Sequence, residues 1–263
     1  MEMRRVAQVS AGRGRPMDES SDMAGKGGFR LGAFRFDGDD IAGDIRDAYG
    51  YDGDLVGIYT GIEGALIHKW HHYIPIYDRY FARFRGQPVR MLEIGVSRVG
   101  SLQMWRKYFG PEAVIFGVDI DPDCARFDGQ DGAVRIGSQD DPEFLGSVVD
   151  EMGGVDIVLD DGSHVMDHIR TSLAALYPRL SSGGIYMIED LHTAYVRRYG
   201  GGMGKRNFFF DLMPMIHDMH RWYHAGGEGS VLGGRIAGIH VHDSIVVLEK
   251  ADPQTPRHSQ VGA

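Results

Sequence analysis

Short apolar runs alternate with helical patterns along most of this chain, and this alternation constrains the fold more than any other feature of the sequence. Five of the runs end in glycine or in acidic residues: VRMLEIGV, AVIFGVDID, AVRIGS, VDIVLDD and GGIYMIED. The segments between them carry apolar residues at helical spacing, as in SLQMWRKYF, DPEFLGSVVDEM and HIRTSLAALYPRL. Strands that alternate with helices form a mostly parallel sheet with helices on both faces.

Two further strands close the pattern. The segment AGIHVHDSIVVLEK contains two short apolar runs around a tight turn. Together with the first five runs, they predict an α/β fold whose seven-stranded sheet is mostly parallel and has one antiparallel edge strand.

The composition divides the chain into four segments. Residues 1–42 are rich in Gly, Arg, Ser and Asp without an apolar period, which predicts a flexible arm or one ordered against a partner subunit. Residues 43–250 carry the strand and helix patterns and are predicted to form the folded domain. Within it, residues 195–235 interrupt the alternation with glycines, aromatics and methionines, which predicts a lid. Residues 251–263 are expected to be a disordered tail.

A tyrosine-rich helix is predicted before the first strand. Five aromatic residues there fall at helical spacing: Tyr73, Tyr77, Tyr80, Phe81 and Phe84. Pro75 is tolerated near the start of such a helix. The helix is expected to pack on the core.

Length and charge restrict the function. The 263 residues carry a formal net charge of −9, which disfavours nonspecific binding to nucleic acid, because phosphate binding depends on a basic surface. A single cysteine, Cys124, excludes an intramolecular disulfide. No apolar run reaches the 18 residues of a membrane span. We therefore expect a cytoplasmic protein that acts on small molecules.

Polar residues at the ends of the first three strands are candidate ligand contacts, since parallel sheets bind ligands at the carboxyl ends of their strands. Gly95 and Gly100 follow the first strand at a spacing that does not match the dinucleotide fingerprint. Asp119 ends the second strand, where an acid can accept hydrogen bonds from ribose hydroxyls. Ser138 and Gln139 follow the third strand, in a position to bracket an adenine edge. Asp140 and Asp141 are better candidates for capping the next helix.

The last two strands of the parallel set end in acidic clusters. The fourth runs into DDGSH, which contributes Asp160, Asp161 and His164, and the fifth ends in Glu189 and Asp190. Carboxylates that converge from neighbouring strand ends form an oxygen-rich site suited to Mg²⁺ rather than to zinc.

The ordered series LEIGVSRVGS, GVDIDPDC, GSQDD, VLDDGSH and YMIED resembles the motifs of class I S-adenosylmethionine-dependent methyltransferases. It is most similar to the Mg²⁺-dependent sugar O-methyltransferases of macrolide and related antibiotic biosynthesis, of the mycinamicin 2''-O-methyltransferase type. The resemblance covers roughly residues 55–250 and implies a Rossmann-like class I methyltransferase fold.

The resemblance also implies roles for the strand-end residues. The cofactor-binding set would be Glu93, Gly95, Gly100, Ser101, Asp119, Ser138, Gln139 and Asp160. The metal ligands would be Asp161, Glu189 and Asp190, and His164 would be the general base. The sequence departs from the family pattern after the first strand, where Ser97, Arg98 and Val99 replace a tighter glycine cluster and Arg98 becomes a candidate for the cofactor carboxylate.

The implied metal ligands and general base suit the deprotonation of a sugar hydroxyl. A sugar hydroxyl holds its proton far above neutral pH, and a cation and a histidine together help to remove it. The expected cofactors are S-adenosylmethionine and Mg²⁺ or another divalent cation, and the expected partner is a glycosylated small-molecule acceptor, with residues 195–235 as its wall. A homo-oligomer is expected, and no nucleic-acid or membrane partner.

Several alternatives stay open at this point. A phenol or catechol O-methyltransferase and a relative of the cephalosporin-biosynthesis methyltransferase or hydroxylase proteins would fit the same motifs. From another class, a nicotinamide-dependent oxidoreductase is disfavoured by the missing glycine fingerprint. A catalytically silent nucleotide-binding module is disfavoured by the presence of His164 with all three acids.

The remaining histidines have less specific interpretations. His168 is expected on a helix surface, whereas His192 is compatible with substrate, metal or structural contacts. A third group has helical spacing and is favoured for packing over zinc binding: His217, His220 and His224. His240 and His242 are expected at a sheet edge or an interface.

Overall fold

Seven strands form a single sheet in the computed structural model of the chain. The structure describes residues 40–204, 207–224, 232–233, 235–252 and 254–262. The strands are β1 (Arg90–Ile94), β2 (Val114–Asp119), β3 (Ala133–Ile136), β4 (Val155–Asp160), β5 (Leu180–Ile188), β6 (Ile236–Val241) and β7 (Val246–Lys250). Their order in the sheet is β3-β2-β1-β4-β5-β7-β6.

The sheet is mostly parallel, as predicted. Strands β1 to β5 pair in parallel, and β7 runs antiparallel to both of its neighbours, β5 and β6. The reversed strand therefore lies one position inside the edge strand β6. Both strands of this closing pair come from the predicted segment AGIHVHDSIVVLEK.

Seven α-helices accompany the sheet in the described residues. They are α1 (Ile41–Tyr49), α2 (Asp54–Thr60), α3 (Tyr73–Phe81), α4 (Gly100–Phe109), α5 (Pro142–Met152), α6 (Met166–Leu176) and α7 (Leu212–Met219). The helices α1 and α2 were not predicted from the sequence. Asp40 caps α1 by accepting a hydrogen bond from the Gly43 backbone N–H, and Asp141 caps α5 in the same way through Glu143 and Phe144.

Helices cover both faces of the sheet because successive strand residues point in opposite directions. Met91 of β1 packs in a core with residues of α1 to α4, whereas Leu92 packs in a second core with residues of α5 to α7. In β4, Ile157 packs in the first core and Val158 packs in the second. The predicted fold class is confirmed.

The predicted tyrosine-rich helix is α3, and it begins only at Tyr73. Proline has no backbone N–H and is tolerated only in the first turn, so Pro75 keeps the helix from starting earlier. The preceding residues instead form an irregular segment, in which Leu66 makes an isolated bridge to Val99. This segment lies over the loop that follows β1.

Parts of the predicted arm, lid and tail lie outside the described residues. Of the arm 1–42, the structure describes only residues 40–42, and α1 already begins at Ile41. The described part of 195–235 contains α7 and short 3-10 helices, such as Phe208–Asp211. Residues 251–252 and 254–262 contain no helix or strand. None of the described helices has the length and apolarity required to cross a membrane.

The strand order reverses direction between β1 and β4, because β2 and β3 continue on one side while β5 continues on the other. Ligands of such sheets bind in the crevice at this switch point, outside the carboxyl ends of the strands. The predicted site residues follow β1, β2, β3, β4 and β5 at this edge.

An ion-pair network joins β1, β4 and β5 at the other end of the sheet, near the residues where these strands begin. Arg90 at the start of β1 donates to both carboxylate oxygens of Asp156 in β4, at 2.8 and 2.9 Å, and to the Ser181 hydroxyl of β5 at 3.0 Å. Burial alone would raise the pKa of Asp156, but hydrogen bonds from Arg90 and Ser181 hold the pKa below its ordinary value of 3.8. The charged carboxylate therefore stabilises the fold.

We predict that Asp156→Asn lowers the free energy of unfolding by about 1–3 kcal/mol at neutral pH, because it leaves the Arg90 guanidinium without its charged partner. A lowered native pKa contributes stability above the unfolded pKa, and this contribution is lost as the pH falls. In denaturant unfolding, the difference from wild type should therefore shrink below pH 3.8.

Asp150→Asn is the matched control, since the Asp150 pair with Arg179 is exposed and should be worth less than about 0.5 kcal/mol. Equal losses for the two variants, or a difference that persists unchanged at strongly acidic pH, would contradict the assignment.

Candidate active site

The carboxyl ends of β1, β4 and β5 bring the two predicted acidic clusters together. The Asp161 backbone N–H donates to the Ile94 carbonyl at 3.0 Å, and the Glu189 N–H donates to the Asp160 carbonyl at 2.9 Å. These bonds extend the parallel pairing by one residue beyond each strand. The backbones of the acids that follow β4 and β5 therefore lie side by side at this edge of the sheet.

Three of the predicted residues form a group that is able to hold a metal ion. Asp161, His164 and Asp190 each offer one ligand atom, and these atoms lie within 4.8 Å of one another. Each side chain keeps about one fifth of its surface exposed. His164 Nε2 lies 3.6 Å from Asp190 Oδ2, and the Tyr73 hydroxyl donates to Asp190 Oδ1 at 2.6 Å.

Glu189, the third predicted metal ligand, points elsewhere. Its side chain is buried, with the Tyr77 hydroxyl donating to Oε1 at 2.6 Å and Lys69 Nζ donating to Oε2 at 2.9 Å. The structure thus groups His164 with two of the three predicted metal ligands. Glu189 lies outside this group and accepts hydrogen bonds from two other donors.

Lys69 is the main site residue that the sequence analysis did not identify. Its Nζ lies 2.5 Å from Asp161 Oδ2, 2.9 Å from Glu189 Oε2 and 3.9 Å from Glu93 Oε1, and its side chain is only 3% exposed. Burial alone would lower the pKa of Lys69, but the three carboxylates raise the pKa well above its ordinary value. Lys69 is therefore a permanent cation inside the acidic cluster.

Negative charge is in excess in this cluster. Glu93, Asp161 and Glu189 share Lys69 as their only lysine or arginine partner among the ion pairs of the described residues, and Asp190 pairs there only with the histidines His164 and His192. Burial, together with the neighbouring Asp161 carboxylate, raises the pKa of Glu189 well above its ordinary value. An additional cation would relieve this excess.

Glu93 is the most isolated of the acids. It is completely buried, and neither carboxylate oxygen has a hydrogen-bond partner among the described residues. Burial raises the pKa of Glu93 to about 7, although Lys69 opposes this shift. A buried acceptor without a donor is costly, so Glu93 suits a ligand that carries an ammonium group. Ser101, also in the predicted cofactor set, lies buried in the first turn of α4.

The loop after β1 is organised by Asp119 and by two glycines. Asp119 Oδ2 accepts hydrogen bonds from the backbone N–H groups of Val96 and Ser97 at 3.0 and 2.9 Å. A Cβ on Gly95, which has φ +97°, would lie 2.1 Å from the Asp161 carbonyl oxygen. The absence of a side chain at Gly95 therefore allows the loop after β1 to lie close to the loop after β4. Asp119 keeps further lone pairs for a ligand.

Gly100 has a similar role at the start of α4. A Cβ there would lie 2.5 Å from the Leu66 carbonyl oxygen, so a side chain would push away the irregular segment that carries Lys69. No described hydrogen bond or ion pair assigns Arg98 a position against a ligand, and its predicted role stays a prediction.

Asp160 and Gln139 form a buried polar network on the α6 side of β4. Asp160 accepts hydrogen bonds from Gln139 Nε2 at 3.0 Å, from Ser172 Oγ at 2.6 Å and from Tyr186 Oη at 3.0 Å. Gln139 Oε1 accepts from the Ser163 backbone N–H at 2.6 Å. Both ends of the Gln139 amide therefore fix the DDGSH loop, while Ser138 lies nearer to solvent and donates to Asp140.

Backbone strain is concentrated at this edge of the sheet. The described residues other than glycine with positive φ are Ser97, Val99, His164, Asp190 and Ser244, with φ between 49° and 65°. All five lie in loops at the carboxyl ends of the parallel strands or in the adjoining β6–β7 turn. Left-handed conformations in residues with a Cβ typically persist at functional sites, where the surroundings enforce them.

The other histidines contact neighbouring side chains. His192 Nδ1 lies 2.6 Å from Ser244 Oγ and 3.9 Å from Asp190 Oδ1, and the His192 ring packs edge-on against Trp70. His168 lies on α6 and pairs with Ser163 and Asp140. In the described part of the chain, His217, His220 and His224 do not form a metal-holding group.

Comparison with known proteins identifies the relatives of this fold and site. No family model matches the chain. A rhamnosyl-tetracenomycin-C 3'-O-methyltransferase of Streptomyces olivaceus is 40% identical over 220 residues, which cover 78% of this chain and 56% of that protein. The chain is a homologue of antibiotic sugar O-methyltransferases. The predicted resemblance is confirmed.

Two further comparisons agree with this homology. The mycinamicin VI 2''-O-methyltransferase of Micromonospora griseorubida is 36% identical over 194 residues, which cover 68% of this chain and 48% of that protein. The structure of the MycE methyltransferase of mycinamycin biosynthesis, in complex with Mg, SAH and mycinamycin VI, aligns with a TM-score of 0.68 and 35% identity. That alignment covers 76% of this chain and 54% of MycE, so this sugar O-methyltransferase homologue spans about half the length of its relatives.

Proposed function

We propose that the chain is an S-adenosylmethionine-dependent and Mg²⁺-dependent O-methyltransferase that methylates a sugar hydroxyl of a glycosylated small molecule. The observation that carries this proposal is the convergence of Asp161, His164 and Asp190 at the switch point of the sheet. The relatives support a sugar acceptor rather than a phenol, because their names specify methylation of sugar-bearing antibiotics.

The chain's own residues suit the cofactor. We propose that Glu93 accepts hydrogen bonds from the ammonium group of the methionine part, because its buried oxygens have no other donor in the described structure. The proposed ribose contact is Asp119, at the end of β2. The adenine side is assigned to Ser138, with Gln139 and Asp160 fixing the floor of the pocket through their buried network. Gly95, Gly100 and Ser101 shape the turn beside it.

The donor set also suits a hard divalent cation. Asp161 and Asp190 would supply carboxylate oxygens to Mg²⁺, which prefers oxygen ligands and keeps several waters. Glu189, predicted as a third ligand, would influence the cation indirectly, through its contact with Lys69. A bound cation lowers the pKa of a coordinated hydroxyl, and S-adenosylmethionine provides the electrophilic methyl group.

His164 is the proposed general base. Its imidazole faces the same crevice as the two metal-binding acids, and Asp190 lies near enough to orient the ring and to stabilise its protonated form. Asp190 is suited to this because Tyr73 fixes its other oxygen. Burial alone would raise the pKa of Asp190, but His164 and the Tyr73 hydroxyl lower the pKa, so the carboxylate stays charged. The acceptor hydroxyl would pass its proton to His164 Nε2 as its oxygen attacks the methyl carbon, and the bond from that carbon to sulfur would break, with S-adenosylhomocysteine as the leaving group.

Titration calorimetry tests the cofactor assignment. The chain should bind S-adenosylhomocysteine and should not bind NAD, because the pocket has an ammonium acceptor in Glu93 and lacks a dinucleotide glycine fingerprint. Methyl transfer to glycosylated acceptors, followed by mass spectrometry, should stop on addition of EDTA and return with Mg²⁺. Binding of NAD alone, or full turnover in EDTA, would refute the proposal.

His164→Ala should lower kcat by about 10² to 10⁴ without loss of S-adenosylhomocysteine binding, because the variant removes the proton acceptor and leaves the cofactor pocket intact. His240→Ala is the matched control, since His240 lies on the edge strand β6 beside Glu249. Unchanged turnover in the His164 variant would exclude its role as the base.

We infer further that the chain acts as a homo-oligomer in the cytoplasm. The single buried cysteine suits a reducing compartment. Among the described residues, Phe210, Met213 and Tyr223 expose more than half of their surface in and around α7, which supports contact with another subunit. Light scattering after size exclusion should give a multiple of the 29.2 kDa chain mass, and a monomeric mass at micromolar concentration would exclude the oligomer.

A further inference from the structure

Lys69 occupies a place that the proposed function does not explain. It lies inside the acidic cluster, where it is almost completely buried and contacts Asp161 and Glu189 directly. A cation that is part of the chain thus lies beside the site proposed for a metal cation. Two positive charges would ordinarily compete for the same carboxylates.

We propose that Lys69 is a positioning residue that acts as the resident counter-ion of Asp161 and Glu189, keeps Glu189 turned away from the Asp161–His164–Asp190 group, and holds the acidic cluster assembled before a divalent cation binds. The role of counter-ion stands on the ion pairs alone. The relation to the divalent cation rests on the proposed function.

The backbone around Lys69 is fixed from three directions. The Lys69 carbonyl accepts a hydrogen bond from the Tyr59 hydroxyl of α2 at 3.3 Å. Three residues earlier, Leu66 pairs with Val99, and the missing Cβ of Gly100 makes room for the Leu66 carbonyl. The chain thus holds the ammonium in one place at the edge of the sheet.

Glu189 is held just as firmly. Both of its oxygens have buried donors, Tyr77 on one side and Lys69 on the other, and the Lys69 ammonium lies 5.7 Å from the centre of the Tyr77 ring. These contacts leave Asp161 as the acid shared between Lys69 and the metal-holding group. Lys69 therefore determines which carboxylates face the crevice.

Removing the ammonium should change the charge balance in a measurable way. Without Lys69, Glu189 and the inner oxygen of Asp161 would lose their counter-ion in a buried environment, which is strongly destabilising. A bound divalent cation would then replace the missing positive charge. The stability of such a variant should depend on Mg²⁺ far more than that of the wild type.

The test compares Lys69→Met with wild type in EDTA and in Mg²⁺. In EDTA the variant should lose about 10 °C in Tm, and Mg²⁺ should restore most of the loss. Calorimetry with Mg²⁺ alone should show a Kd at least about tenfold lower than in wild type, because a competing positive charge is gone. Lys107→Met is the matched control, since Lys107 is exposed and, in the described structure, donates to the Gly61 carbonyl rather than to a carboxylate.

A double variant separates a counter-ion from a side chain that only fills space. Lys69→Met combined with Glu189→Gln removes the unpaired carboxylate together with its partner, so it should be more stable in EDTA than Lys69→Met alone. Lys69→Arg keeps the charge and should recover part of the Tm in EDTA. The double variant also gives a result if Lys69→Met alone does not fold.

The outcomes distinguish this inference from the proposed function. If wild type binds Mg²⁺ but Lys69→Met shows the same Kd and the same Tm difference between EDTA and Mg²⁺, the inference is wrong and the proposed function stands. A double variant no more stable than Lys69→Met would also overturn it. If wild type binds neither Mg²⁺ nor S-adenosylhomocysteine, the proposed function fails instead, and the Tm comparison in EDTA still tests the counter-ion.

Discussion

Repulsion among four carboxylates is the constraint on which the functional edge of this molecule depends. Glu93, Asp161, Glu189 and Asp190 lie at or just beyond the ends of three neighbouring strands, and the parallel register brings them together at one edge of the sheet. The sheet alone has no means of neutralising them. The positive charge comes from Lys69, in the irregular segment before α3, so the residues that precede the sheet are as necessary to the site as the strands.

The sheet and several site residues could be predicted because they depend on local patterns. Apolar runs that end in acids marked the strands, and the acids marked the crevice, so Asp161, Asp190 and His164 were predicted and do lie together. Lys69 could not be found in this way, since its partners lie 92 and 120 residues later in the chain. Tyr73 had the spacing of a core aromatic, and nothing in the sequence distinguished a hydroxyl that reaches a carboxylate from one that does not.

The shape of the site depends on backbone conformations that most residues avoid. His164 and Asp190 both adopt left-handed conformations, and their side chains lie 3.6 Å apart. Local propensity disfavours this geometry at both positions. It persists because hydrogen bonds fix each loop, as Thr193 Oγ1 does by donating to the Asp190 carbonyl at 2.6 Å. Sequence patterns therefore located these residues but could not give their orientation.

The carboxylate of Asp119 joins the loop after β1 to the loop after β2. One oxygen accepts from Val96 and Ser97 after β1, and the other accepts from the Asp121 N–H after β2 at 2.9 Å. The same carboxylate therefore ties both loops together. The backbone that Asp119 holds adjoins Gly95, which packs against the Asp161 carbonyl. The end of β2, where the ribose contact is proposed, is thus linked through the backbone to the acidic end of the crevice.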